Sequence, residues 1–310
     1  MRDSLSVGAR LSVVALLLVA ALSVSGRAQS GVVRTPDVEL DAVVVDRDDR
    51  PVGGLSQDDF VVKEDGRRVM LTRVTEVSAA GIDGPSDARV VSLVLDDNSV
   101  PRSATLIMQN IARLFASFAR PADVISAVRL THRDDEAAGG LPRTMETIDA
   151  YQAGSLGFYG RTIADTLMQA VTRVARQLEP IEHRRKALIC IGRRDVCDPF
   201  FEVPENSILW NSWRDAVAET SRAHASVYAV SPEGVESRLD LGGGLADTTG
   251  GRAFVRSNDF QRAAQLIWAE ASHYYLLEYG APESRAGLHR LEVSVRRSGL
   301  HVHARTRRSN

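Results

Sequence analysis

The sequence lacks the short patterns by which most catalytic sites are found. It contains no Gly-x-Ser-x-Gly elbow, no His-Glu-x-x-His helix, no Gly-x-x-x-x-Gly-Lys phosphate loop and no Cys-x-x-Cys pair. The glycine run at 242–244 has no strand immediately before it and lacks the spaced glycines of a dinucleotide-binding turn. We therefore expect a non-catalytic protein. A hydrolase assembled from residues distant in sequence is the remaining enzymatic alternative.

The sequence also has few cysteines and no large excess of positive or negative charge. The formal net charge of −2 gives no excess of basic residues, and we expect no nucleic-acid partner. The two cysteines are Cys190 and Cys197. Cys190 lies in an apolar run typical of a buried strand, which favours a reduced thiol, whereas an oxidising compartment would favour their pairing. The sequence leaves both states open.

The chain begins with a segment that has the layout of a signal peptide. Arg2 and Arg10 precede an apolar run at residues 11–24, and Gly26-Arg27-Ala28 follows it. This run is shorter than the roughly 20 residues that a membrane-spanning helix needs. We predict a signal peptide at residues 1–28, cleaved near Ala28, and a secreted or periplasmic chain without a membrane span. An uncleaved anchor is the alternative.

The first part of the exported chain has the pattern of a small β unit. Within residues 35–78, strand patterns occur at 38–45, 60–64 and 69–77. Asp65-Gly66 joins the last two, because these residues accept the positive φ angles of a tight hairpin turn. Residues 79–88 are small and turn-forming, which predicts a linker.

Residues 89–272 alternate between strand and helix patterns, which predicts a parallel sheet flanked by helices. The predicted strands are 90–95, 124–130, 187–191, 226–230 and 253–255, and the predicted helices are 103–119, 162–178, 207–223 and 258–272. Asn258, with Gln261 three residues later, predicts a capping box for the last helix.

Residues 273–308 contain three further strand patterns with no helix between them, at 274–279, 289–296 and 301–307. Neither end of the chain has enough strands for a sandwich of its own, so we predict that the two ends pack together around the inserted α/β domain. In the last strand, His301, His303 and Arg305 alternate with apolar residues. They are interpreted as the solvated face of a half-buried strand, with a polyanion-binding stripe as the alternative.

Several segments, in this order, carry a family resemblance. They are Val43-Val44-Val45-Asp46 with Glu64-Asp65-Gly66, Val94-Leu95-Asp96-Asp97-Asn98-Ser99, Gly160-Arg161-Thr162-Ile163-Ala164-Asp165, Thr249-Gly250-Gly251-Arg252-Ala253-Phe254, and Tyr274-Tyr275-Leu276-Leu277. Together they resemble a bacterial family related to the von Willebrand factor type A domain. The resemblance implies an α/β, Rossmann-like fold with a mostly parallel sheet flanked by helices, and here a smaller β-rich unit from the N- and C-terminal segments.

The resemblance also implies a metal-ion-dependent adhesion site at the carboxyl ends of the strands. Such a site holds Mg²⁺ through an Asp-x-Ser-x-Ser run, a threonine and a later aspartate. The matching positions that could supply metal ligands here are Asp96, Asn98, Ser99 and Thr162. With Asp96 leading, the serine positions hold Asn98 and Val100. With Asp97 leading, they hold Ser99 and Pro101.

Arg193 falls where the later aspartate is expected. A guanidinium there would repel a divalent cation and pair with Asp96. We therefore expect a degenerate site without a cofactor, and Mg²⁺ held with the help of Asp195 or Asp198 is the alternative. Asp96 could instead cap the helix near Ser103, and Thr162 could be a ligand or a helix N-cap.

The sequence therefore predicts an exported binding or adhesion-type module that engages an unidentified protein partner through the loops at the top of the sheet. The residues expected to contact that partner are Asp97, Arg161, Arg193 and Asp195. The alternative is a structural subunit of a cell-envelope or secreted assembly that uses the β-rich unit, through pairing of its strand edges.

Overall fold

The computed structural model describes residues 37–78, 88–137, 139–154, 161–181, 184–193, 208–236, 244–281 and 287–309. The predicted signal peptide, most of the predicted linker, Asp195, Cys197 and Asp198 lie outside the described residues. So do the side chains of Arg161 and Thr162. Within the described ranges, no helix combines the length and the apolar character needed to cross a bilayer.

A five-stranded parallel sheet lies at the centre of the α/β part, in the order β6-β5-β7-β8-β9. Its strands are β5 (Val90–Leu95), β6 (Val124–Arg129), β7 (Lys186–Ile191), β8 (Ala225–Val230) and β9 (Ala253–Phe254). Leu95 lies opposite Arg129 and Ile191, and Ile191 lies opposite Val230. The four longer strands therefore end at one level, and their following loops share one edge.

Helices cover both faces of this sheet, as predicted. They are α1 (Thr105–Ala116), α2 (Gly140–Asp149), α3 (Arg161–Leu178), α4 (Ile208–Arg222), α5 (Leu245–Thr249) and α6 (Phe260–Ser272). Alternate strand residues point to opposite faces. Val94 faces the core with α3 and α4, whereas Leu93 faces the core with α1 and α6. The predicted mixed α/β class, with a helix-flanked parallel sheet, is confirmed.

Two helix starts differ from the sequence prediction. The N-cap of α6 is Asp259, whose carboxylate accepts a hydrogen bond from the Arg262 N–H at 2.9 Å. The predicted cap at Asn258 is therefore wrong by one residue. Helix α3 begins at Arg161, so Thr162 lies within its first turn and not at the N-cap position.

The N- and C-terminal segments form two antiparallel four-stranded sheets. One has the order β12-β1-β10-β4 and the other β13-β11-β2-β3. The strands are β1 (Asp37–Val45), β2 (Phe60–Glu64), β3 (Arg67–Val69), β4 (Leu71–Ser78), β10 (His273–Gly280), β11 (Leu288–Val295), β12 (His301–Ala304) and β13 (Arg307–Ser309). Leu40, Phe60, Tyr275 and Leu291 share an apolar core drawn from both sheets.

The last predicted strand is in fact two strands in different sheets. Strand β12 pairs with β1, whereas β13 pairs with β11, so the chain passes from one sheet to the other at Arg305 and Thr306. Arg305 is buried there, and its guanidinium donates to the carbonyl oxygens of Thr220 and Ala225. The prediction that Arg305 lies on a solvated face is therefore wrong.

A buried charge pair joins the antiparallel sheets to the parallel one. Asp41 of β1 accepts from the guanidinium of Arg185, the residue just before β7, and both side chains are buried. Arg185 also donates to the Tyr228 hydroxyl at 3.0 Å and to the Gly250 carbonyl at 2.7 Å. Because Arg185 precedes its strand, this junction lies at the amino edge of the parallel sheet. The carboxyl ends of the strands lie at the opposite edge.

Candidate functional site

Four loops meet at the end of the parallel sheet where its strands finish, which we call the carboxyl edge. They are residues 96–99 after β5, 131–132 after β6, 192–193 after β7 and 231–233 after β8. Backbone hydrogen bonds fix their level, since Asp96 N–H donates to the Ile191 carbonyl and Gly192 N–H to that of Val230. Open α/β sheets generally bind ligands at this edge.

Asp96 is a buried carboxylate that is held from several sides. Its Oδ1 accepts from the N–H groups of Asn98 at 3.0 Å and Ser99 at 2.8 Å. Its Oδ2 accepts from the Ser99 hydroxyl and from the Arg193 N–H at 3.4 Å. Burial raises the pKa of Asp96, although these hydrogen bonds act in the opposite direction. Asp96 therefore organises its own loop and does not cap the helix near Ser103.

Gly192 allows β7 to approach Asp96 closely. A Cβ atom on residue 192 would lie 2.4 Å from the Asp96 Cβ and 2.9 Å from its Oδ2. Both separations are shorter than van der Waals contact, so only glycine fits here without a shift of the backbone. Glycine at this position thus keeps Asp96 and the Arg193 N–H within hydrogen-bond reach.

Asp97 belongs to a different group of contacts from Asp96. It is buried and accepts from the Thr131 N–H at 3.1 Å, from the Thr131 hydroxyl and from His132 Nδ1 at 3.0 Å. The two neighbouring aspartates therefore hold different loops. Asp96 contacts the loops after β5 and β7, whereas Asp97 contacts the loop after β6. The His132 ring remains partly exposed beside Asp97.

Arg193 contacts Asp96 through its backbone, and its guanidinium has a different acidic neighbour. Arg193 Nε lies 3.3 Å from Glu233 Oε1, and both side chains are 40% exposed. The predicted pairing of the Arg193 guanidinium with Asp96 is replaced by this ion pair. Because strands β7 and β8 are neighbours that end at one level, Glu233 competes for the guanidinium from the adjacent loop.

Among the described residues, which do not include Asp195, Asp198 or the side chain of Thr162, the oxygen atoms at the carboxyl edge form a poor set of magnesium ligands. Both Asp96 oxygens already accept hydrogen bonds, and Asp97 faces Thr131 and His132. Asn98 Oδ1 is buried and accepts no hydrogen bond within the described part of the chain. Magnesium prefers six oxygen ligands in near-octahedral geometry, commonly including carboxylates. An ion here would have to displace the hydrogen bonds that hold Asp96.

A second acidic group lies in the β-rich part of the chain. Glu64, Asp65 and His289 offer ligand atoms within 4.8 Å of one another. The Arg308 guanidinium already lies 2.5 Å from Glu64 Oε1, and the Tyr279 hydroxyl donates to Glu64 Oε2 at 2.8 Å. A guanidinium at this position neutralises Glu64 and occupies the space of a cation. We interpret the group as an ion-pair network around the buried side chains of Glu64 and His289.

Sequence reasoning missed several residues of the carboxyl edge. Thr131 and His132 hold Asp97, Glu233 holds Arg193, and the Tyr151 hydroxyl donates to the Asp96 carbonyl at 2.5 Å. A simple signal was available for the first three, because they are among the first polar residues after predicted parallel strands. Tyr151 follows α2, a helix that the sequence did not reveal.

The fold and the carboxyl edge together define the class of this protein: a mixed α/β protein with a helix-flanked parallel sheet and charged loops where the strands end. Neither the protein-family models nor the curated proteins include one that matches the chain.

Proposed function

We propose that the α/β part is a von Willebrand factor A-like domain and that the chain is an exported, non-catalytic module that binds a protein partner through its carboxyl edge. The observation that carries the proposal is the gathering of Asp96, Asp97, His132, Arg193 and Glu233 on four adjacent loops. The domain assignment is supported by the parallel sheet and by the aspartates that directly follow its strand β5.

The exposed pair of Arg193 and Glu233 supplies a recognition mechanism. An ion pair between partly exposed side chains contributes little, about 0–1 kcal/mol, so a partner can displace it at small cost. A carboxylate on the partner would replace Glu233 and accept two parallel hydrogen bonds from the guanidinium. The Arg193 backbone remains fixed by Asp96 throughout. In this mechanism the degenerate metal site is replaced by an arginine that meets the partner's acid directly.

The geometry around His132 supports a role without catalysis. A catalytic triad needs a histidine whose two ring nitrogens contact the acid and the nucleophile separately. Here the same nitrogen, Nδ1, lies 3.0 Å from Asp97 Oδ2 and 3.2 Å from Thr131 Oγ1. The Thr131 hydroxyl donates directly to Asp97. This arrangement stabilises a loop, and the His132 ring does not bridge an acid and a nucleophile as a triad histidine does.

Site-specific crosslinking in the cell envelope tests which surface meets the partner. A photoreactive residue replaces Glu233 at the carboxyl edge in one protein and Thr75 on strand β4 in another. Both positions are exposed. We expect the protein modified at Glu233 to capture a specific partner and the protein modified at Thr75 to capture none. Capture only at Thr75 would contradict the proposal.

A structural subunit remains the second candidate, and one feature of the fold favours it. Strand β4, eight residues long, lies at the end of its sheet and pairs with β10 alone in the described structure. Exposed strand edges can accept a strand from another chain. Capture of a specific partner at Thr75 and not at Glu233 would point to a structural subunit.

A further inference from the structure

A pocket of about 420 Å³, lined by residues with polar or charged side chains, lies between α3, α4 and the loop after β6. Small-molecule sites commonly have volumes of roughly 300–1,000 Å³. Three of the lining side chains are the arginines Arg133, Arg173 and Arg176, and one, Asp215, is acidic. The pocket therefore has the size of a ligand site and an excess of positive charge.

Arg173 is the least exposed of these three arginines. Its Nη2 atom donates to the carbonyl oxygens of Arg129 at 3.4 Å and His132 at 3.3 Å. Its Nε atom is buried and has no hydrogen-bond partner among the residues that the structure describes. Burial lowers the pKa of the guanidinium; the carboxylate of Asp135 raises it, while the charge of Arg133 lowers it further. A buried donor without a partner destabilises the folded protein.

The carboxylates of Asp135, Asp134 and Asp97 act on the charge of Arg173 from a distance, and none of them forms an ion pair with it. Neither Arg133 nor Arg173 forms an ion pair with a described residue, whereas Arg176 shares Glu219 with Arg222. Asp215 lies 3.9 Å from Arg214. Around Arg173 the pocket thus retains positive charge that the described part of the protein leaves unpaired.

We propose that this pocket binds a small organic oxyanion, a phosphate or a carboxylate, with Arg173 and Arg133 as its main contacts. A guanidinium presents parallel N–H donors that match the oxygens of both groups, and such charge-assisted bonds are stronger than neutral ones. An oxyanion in the pocket would contact the guanidinium groups of Arg173 and Arg133 and balance their charge. The residues that line the pocket include neither Arg193 nor Glu233.

Calorimetric titration of the purified chain tests this site, using inorganic phosphate in one arm and citrate in the other, at matched ionic strength. We expect saturable binding in at least one arm. Arg173→Gln and Arg133→Gln should each weaken it about tenfold or more. The matched control is Arg143→Gln on α2, an exposed arginine paired with Glu146 at 3.1 Å, which should leave the affinity unchanged.

Tighter binding of phosphate would identify a phosphorylated ligand, and tighter binding of citrate would identify a carboxylate ligand; either result supports the site. No saturable binding in either arm would overturn the proposal, as would equal affinities in the wild type and Arg133→Gln. Arg133 is exposed and makes no described ion pair, so we expect the Arg133→Gln variant to fold. This variant therefore still tests the site if Arg173→Gln does not fold.

Discussion

Asp96 is held almost entirely by its own loop and by the strand beside it. Four hydrogen bonds converge on its carboxylate, and Gly192 provides the space that lets strand β7 come so close. A single side chain thereby ties the loop after β5 to the loop after β7. The position of Arg193, which follows Gly192 directly, depends on this arrangement.

Gly192→Ala should destabilise the protein by about 1–3 kcal/mol, because the new methyl group would overlap with Asp96 and force a shift. Urea unfolding followed by circular dichroism measures the change. The control is Gly280→Ala, whose Cβ would meet nothing within 4 Å. That change should stay within about 0.5 kcal/mol. Equal stabilities for the two variants would show that the close approach at Gly192 is absent.

Divalent cations should not stabilise the protein, because the oxygens of Asp96 are already used. A ligand that binds only the folded state raises the melting temperature by mass action. After chelation, titration with Mg²⁺, Mn²⁺ or Ca²⁺ should produce no saturable rise. A rise that Asp96→Ala abolishes and Asp59→Ala leaves intact would mean that the degenerate site still binds metal.

Strands β5 and β6 are joined at their starts by a buried ion pair. The Arg89 guanidinium contacts Asp123 at 2.5 Å and stacks 4.2 Å from the ring centre of Trp268 on α6. Burial alone would raise the pKa of Asp123. Hydrogen bonds from the Arg89 side chain and from the Arg120 and Arg89 N–H groups outweigh it, so this pKa lies below its usual value.

Asp123→Asn should therefore cost about 3–5 kcal/mol at pH 7, as expected when one partner of a buried ion pair is removed. Because the pKa is lowered in the folded state, the wild type has this stability above the unfolded pKa of about 4 and loses it as pH falls through the folded value. Urea unfolding should show the difference between wild type and variant shrinking below about pH 4. A difference that stays constant down to pH 3 would contradict the assignment.

The matched control for Asp123 is Asp149→Asn. Asp149 also pairs with an arginine, Arg113 at 2.7 Å, but its side chain is 61% exposed. An exposed pair of this kind should contribute no more than about 1 kcal/mol at any pH.

Periodicity predicted most of the elements, and the exceptions have identifiable causes. Helix α2 begins at Gly140 and contains Pro142, and both residue types argue against a helix in sequence. Proline is tolerated there because the first turn has no internal N–H partner to lose. The break between β12 and β13 was also missed, because no glycine or proline marks the point where the chain changes sheets.

At the scale of the whole molecule, the antiparallel sheets contact the parallel sheet at its amino edge. The loops that follow the parallel strands lie at the opposite, carboxyl edge. Asp41 and Arg185 tie β1 to the start of β7, and Arg305 binds carbonyl oxygens at the end of α4 and the start of β8. These contacts join residues far apart in sequence. The same holds for the pairing of Arg193 with Glu233, which depends on strand order and could not be deduced from periodicity.

The position of the candidate site was thus more predictable than its contacts. A parallel sheet places the loops after its strands at one edge, so Asp96, Asp97 and Arg193 could be expected there. Which oxygen accepts from which donor depends on side-chain directions in four loops. Sequence spacing therefore placed Arg193 correctly at the carboxyl edge, but it predicted Asp96 as the partner of the guanidinium where the structure has Glu233.

The affinity for the partner captured at Glu233 tests the central claim most directly. We expect Arg193→Ala to raise the dissociation constant at least about tenfold, because it removes the cation that meets the partner's carboxylate. The control is Arg297→Ala, a similarly exposed arginine near Asp59, which should leave the dissociation constant unchanged. Equal dissociation constants for the wild type and Arg193→Ala would contradict binding through the carboxyl edge.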